Sequence, residues 1–188
     1  MTAIVGIIDK KNNITYLASD EMGSNGFTGE NFKTPKLFRN GVLSVAFCGS
    51  YRLGQILKYN LKPRNFEVGE TIDEYVFNYL EKEIRNILKE RKFLQEDLGV
   101  QSIGGSEIIF AVKDRLFVMQ SDLAILEPEH IFVTSGSGKF HLEASIYTQL
   151  KLAKNKSYKA ILAEEINYTS NIVLSVGGKP QIISHKHF

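Results

Sequence analysis

A chain of 188 residues with 43% hydrophobic content is long enough for one domain around a substantial core. Its formal net charge of +2, spread without a long like-charged block, excludes nucleic acid or a membrane surface as a default partner. The single Cys48 excludes an internal disulfide framework and suits a reducing compartment. No apolar run approaches the roughly 18 residues of a membrane span, and no basic region precedes an apolar run at the N-terminus. The expected location is cytoplasmic.

The first strand is predicted to begin immediately after Thr2. Ala3 to Ile8 and Ile14 to Ala18 are β-branched and apolar, and the turn residues between them, 9–13, make a hairpin. Both strands are apolar nearly throughout, which predicts burial on both faces of a sheet. Asp20 falls at the strand exit. Residues 22–31, with Gly23, Gly26 and Gly29, read as a loop, and Lys36 to Phe38 with Val42 to Phe47 as a second hairpin. Ser50 is placed to cap a helix that Pro63 stops. A capping box, Thr71 to Glu74, opens a second helix with Val76, Leu80, Ile84, Ile87 and Leu88 on one face.

Strands return after Gly104-Gly105, at 108–112 and 116–120, and a short strand at 131–134 leads into Ser135-Gly136-Ser137-Gly138. Two helices follow, one with Leu142, Ile146 and Leu150 inward, the other with Tyr158, Ile161, Leu162 and Ile166. The pattern then predicts a closing hairpin, 172–176 with 180–184 around Gly177-Gly178, and a frayed tail from His185 to Phe188. Strands, two helices, strands, two helices, strands is an order that suits an α+β fold of two packed, mainly antiparallel sheets between helix layers. Residues 1–188 form one domain on this reading.

That order carries five local motifs. Thr2-Ala3-Ile4-Val5-Gly6 opens the chain, Leu17-Ala18-Ser19-Asp20 ends the second strand, and Lys36-Leu37-Phe38 follows sixteen residues after Asp20. Ala46-Phe47-Cys48-Gly49-Ser50 turns into the first helix, and Gly136-Ser137-Gly138 precedes the third. Together they resemble the N-terminal nucleophile (Ntn) hydrolases, within them the β-type proteasome subunits and the HslV peptidases. The resemblance covers nearly the whole chain and implies a four-layer αββα sandwich.

It also implies a threonine-type endopeptidase whose nucleophile is Thr2, exposed by removal of Met1. The residue chemistry agrees. A threonine hydroxyl needs a base, and an α-amine titrating near roughly 7.7 to 8.0 supplies one on the same residue. A nearby ammonium, for which Lys36 is the candidate, keeps that amine neutral and stabilises the alkoxide, and Asp20 orients the lysine. Gly49, at a strand-to-helix turn, can aim a backbone N–H at the oxyanion. By resemblance Ser137 bonds the amine and helps relay its proton. The family's Asp-x-x-Ser near the last helix is best matched by Asn167 to Ser170, with an asparagine that hydrogen-bonds but carries no charge. Phe47 stands where family members line the specificity pocket, which predicts a shallow one.

The implied partners are a polypeptide substrate, further copies in a homo-oligomeric ring, and an ATP-driven unfoldase. No cofactor is implied. Ser135 to Lys139 is not a P-loop, because Val133 and Phe140 stand where that motif needs Gly and Ser/Thr. The four histidines have no ligand spacing, so no metal is expected. Two other readings stay open: an inactive proteasome-like subunit that assembles or binds, and a small-molecule amidase on the same fold.

Overall fold

The computed structural model describes residues 2–25, 28–152 and 156–187; Met1, Gly26 and Phe188 lie outside them. β1 (Ala3–Asp9) and β2 (Ile14–Ser19) form the predicted hairpin, and β1 is buried along its whole length. β3 (Met22–Ser24) and β4 (Gly29–Asn31) pair where a loop was expected, because Met22 to Ser24 lie antiparallel to Gly29 to Asn31. β5 (Leu37–Asn40) and β6 (Leu43–Cys48) lead to α1 (Tyr51–Asn60), capped by the Ser50 side chain accepting from Arg52 N–H. A π-helical stretch, Glu74–Leu80, continues into α2 (Glu81–Glu90). Its capping box is reciprocal, Thr71 N–H to Glu74 at 2.8 Å and Glu74 N–H to Thr71 at 3.2 Å.

A short ribbon that the periodicity missed, β7 (Gln95–Asp97) with β8 (Val100–Ser102), precedes the hairpin of β9 (Glu107–Val112) and β10 (Arg115–Met119). β11 (Ile125–Leu126), β12 (Phe132–Gly136), α3 (Lys139–Leu152), α4 (Tyr158–Ile172) and β13 (Gln181–Lys186) complete the chain. The closing hairpin is not formed. α4 runs on through Ile172, and β13 pairs with β2 instead, Ile183 opposite Leu17. Nor is the tail frayed at its start: His185 is buried, and His187 N–H bonds Asn13 O at 2.9 Å.

One sheet has the order β12-β1-β2-β13 and the other β11-β10-β9-β6-β5, every pairing antiparallel. Strand alternation builds the layers. In β1, Ala3, Val5 and Ile7 face α3 and α4, while Ile4 and Ile8 face the other sheet. In β6, Leu43, Val45 and Phe47 face α1 and α2, while Ala46 and Cys48 face inward. Three apolar layers therefore alternate with two sheets, an αββα sandwich. Burial on both faces is why these strands read as continuous apolar runs.

Candidate active site

The start of β1 is held from three directions. Asp20, just past the end of β2, accepts from Ala3 N–H at 3.0 Å and from Lys36 Nζ at 2.7 Å on the same oxygen, Oδ1. Its Oδ2 accepts from Gly177 N–H at 3.2 Å. Asp20 is 0% and Lys36 2% exposed, so this ion pair is fully inside the protein. Lys36 Nζ also donates to Met22 O at 2.5 Å. Burial pushes the Lys36 ammonium below its ordinary pKa, and Asp20 opposes that shift through charge and hydrogen bond. The shared oxygen anchors the lysine head one residue from Thr2.

On the other side, Thr2 N–H donates to Ser137 Oγ at 3.1 Å, and Ser137 Oγ pairs with Ser175 Oγ at 2.9 Å. Gly138 N–H closes on Thr2 O at 3.2 Å. This approach requires glycine at 136, where φ is +86° and a Cβ would stand 2.2 Å from Thr2 O. Gly49 also has a left-handed backbone, φ +88°, and a Cβ there would meet the Ser106 main chain at 2.7 Å. The turn is thus glycine by necessity, between the end of β6 and the cap of α1.

Thr2 and Gly49 lie where two clefts meet. One, of about 350 Å³, is lined by Gly23, Asn25, Glu30, Phe32 and Tyr51 among others. The second, of about 380 Å³, carries Glu107, Ser121, Ser137 and Lys139. Each has room for a side chain or two, not for folded protein. Ser135 Oγ donates to Glu107 Oε2, which fixes the carboxylate in the second cleft. Tyr51 lies edge-on to both Phe32 and Phe47, with ring centroids 5.6 and 6.0 Å away. Burial, then Asp20 and Glu21, push its hydroxyl up to about 12.

Thr2, Asp20, Lys36, Gly49 and Ser137, predicted from five separate stretches, therefore converge. Three expectations do not hold. Ser170 Oγ bonds the Asn167 carbonyl at 2.7 Å within α4, and Asn167 is exposed, so this pair serves its own helix. Ser175 takes the place expected of Ser170, because α4 is longer than predicted and the chain turns back only after it. Phe47 is 3% exposed and lines neither cleft; its strand parity sends it into the layer beneath α1, and Phe32 and Tyr51 form the aromatic wall. Ser175 and Gly177 were missed as site residues. Their signal, a serine two places before Gly-Gly, was masked by the apolar run 172–176 that read as a strand.

No protein-family model matches the chain, and no curated protein does. Its backbone nonetheless shares the four-layer αββα fold of solved structures of BPH and HslV. A structure of Thiobacillus denitrificans BPH superposes with a TM-score of 0.75 at 20% identity, covering 100% of this chain and 99% of that one. BPH in complex with epoxomicin gives 0.75 at 18%, over 100% of both chains. Eukaryotic HslV from Trypanosoma brucei gives 0.70 at 14%, over 99% of this chain and 100% of its own. At these identities the likeness is one of fold. No helix among the described residues is long and apolar enough to cross a membrane.

Proposed function

We propose that the chain is a threonine-type endopeptidase of the proteasome-β and HslV kind, acting on unfolded polypeptide. The observation that carries this reading is the pair of anchors on the first strand: Asp20 Oδ1 shared between Ala3 N–H and Lys36 Nζ, and Ser137 Oγ on Thr2 N. Removal of Met1 turns Thr2 N from an amide into an amine. Thr2 Oγ then attacks the scissile carbonyl carbon and its proton passes to that amine, with Lys36 stabilising the oxygen. Gly49 N–H holds the oxyanion. Collapse breaks the C–N bond, the departing amine takes the proton, and an acyl ester remains on Thr2. Water, deprotonated by the same amine, cleaves the ester. Ser137, supported by Ser175, positions the amine throughout.

Homo-oligomeric ring assembly, an ATP-driven unfoldase and a cytoplasmic location belong to the same reading. The small clefts support a substrate delivered as an extended chain, which fits both an enclosed ring and an unfolding partner. The buried Cys48, alone in the chain, suits a reducing compartment.

Intact mass before and after incubation with epoxomicin, on the wild type and Thr2→Ala, tests the reading. The expected result is a mass lacking Met1, one adduct on the wild type, none on Thr2→Ala, and peptide hydrolysis that follows the adduct. Met1 retained on all molecules would overturn the enzyme and favour an inactive assembling subunit. Turnover of small amides but not of peptides would move the reading to an amidase.

A further inference from the structure

Thr2 N points at Ser137 Oγ, 3.1 Å away, and Ser137 lines the cleft of about 380 Å³ and not the one of about 350 Å³. In the mechanism above, that nitrogen hands its proton to the departing amine. The half of the substrate after the scissile bond therefore leaves through the Ser137 cleft. The half before the bond occupies the cleft walled by Phe32 and Tyr51.

The Ser137 cleft holds a carboxylate that is fixed in place and still open to a ligand. Glu107 begins β9 opposite Cys48, on the strand face that looks between the two sheets with Ile109 and Ala111. Ser135, opposite Ile4 of β1, looks into the same layer. Ser135 Oγ donates to Glu107 Oε2, and Cys48 Sγ lies 3.3 Å from Ser135 Oγ, placed to donate in turn. Burial pushes the Cys48 thiol up, so it keeps its proton. This chain of thiol, hydroxyl and carboxylate holds Glu107 through Oε2 alone. Among the described residues Glu107 makes no ion pair, and its Oε1 has no hydrogen-bond partner.

The opposing charge on this cleft is Lys139, the first residue of α3, which is exposed and forms no ion pair with Glu107. Solvent screens an exposed ammonium on a long stem more than it screens a half-buried, hydrogen-bonded carboxylate. Glu107 therefore sets the sign that a substrate side chain meets, and Lys139 tempers it. Gly49, Gly105 and Gly136 present bare backbone along the cleft, which leaves room for the methylenes of a long side chain.

We propose, on the footing of the endopeptidase activity above, that Glu107 selects a basic side chain, lysine or arginine, in the residue after the scissile bond.

Internally quenched peptides that differ only at that residue, as lysine, glutamine or glutamate, test the selection, with the cleaved bond located by mass spectrometry. In the wild type kcat/KM should favour lysine over glutamate about tenfold or more at low salt, and less as salt rises. Glu107→Gln, which keeps an acceptor for Ser135, should lower the lysine-to-glutamate ratio about tenfold, and Lys139→Ala should raise it. Each ratio is read on one sample, so lost folding or lost active sites, which slow all peptides alike, do not move it. In a parallel set varied before the bond, the ratios should be the same for wild type and Glu107→Gln. A wild type without the preference, or a preference that Glu107→Gln leaves in place, would overturn the role of Glu107 while peptide hydrolysis stood. A shift confined to the set varied before the bond would reverse the order of the clefts and overturn it as well. Absence of both the epoxomicin adduct and all peptide hydrolysis would overturn the endopeptidase, and selection by Glu107 with it.

Discussion

Asp20→Asn removes the anion from an ion pair in which neither partner meets solvent. The Lys36 ammonium is left buried with Met22 O as its remaining partner among the described residues, and breaking such a pair from one side costs about 3 to 5 kcal/mol. Asparagine also has one acceptor oxygen where Asp20 uses two, so either Ala3 N–H or Gly177 N–H loses its bond, about 1 kcal/mol more. For a chain of this length the loss corresponds to a fall in Tm of about 8 to 24 °C. Lys36→Met alone leaves an aspartate that still accepts two N–H groups. The double variant Asp20→Asn, Lys36→Met leaves no charge, so its cost should fall to about 1 to 2 kcal/mol, well below the sum of the singles. Urea unfolding at pH 7, followed by circular dichroism, gives all four corners of the cycle. Peptide hydrolysis on the same samples should be absent in all three variants, so the double is folded and inactive. Additive costs, or an Asp20→Asn penalty under about 1 kcal/mol, would refute the account of the pair.

Ser175→Ala should lower turnover about tenfold or more with little change in KM, since it removes the support of Ser137, whereas Ser170→Ala should leave the rate unchanged; steady-state kinetics separate the two. Phe47→Ala should cost about 3 to 5 kcal/mol by opening a cavity under α1, read by urea unfolding, while Phe32→Ala should spare stability and change which side chain is preferred before the cleaved bond, read on a peptide panel. His185 is held by Arg39 and Ser44 with the His187 ring tilted against it, and burial first, then Arg39, push its pKa from 6.5 down to about 4. Because the unfolded histidine takes its proton at higher pH, stability should be intact above about 6.5 and fall toward pH 4, by about 3 kcal/mol, and His185→Gln should flatten that window in a Tm titration.

Much of the site was legible because each residue sits at a punctuation mark. Asp20 ends an apolar run, Lys36 begins one, Gly49 separates a strand from a capped helix, and Ser137 lies between two glycines. Such boundaries follow from local chemistry, which a one-dimensional reading captures. Ser175 was not legible, because Ile172 to Val176 has the composition of a strand and only the packing of α4 on the first sheet carries the helix as far as Ile172. Phe47 was misplaced for a related reason. Its neighbour Gly49 belongs to the site, but a strand alternates, and the layer that Leu43 and Val45 enter takes Phe47 as well.

The sequence by itself determined the main strands and helices up to α4, the cap of α1, the capping box ahead of the second helix, and the five candidate residues Thr2, Asp20, Lys36, Gly49 and Ser137, since periodicity, caps and turn glycines are properties of neighbours in the chain. Tertiary structure alone decided that β13 would pair with β2, and that Ser175 and Gly177 would brace Ser137 and Asp20 from more than 35 positions away. Those contacts join segments far apart in the chain, and only the closing of the two sheets on each other brings them within hydrogen-bonding reach.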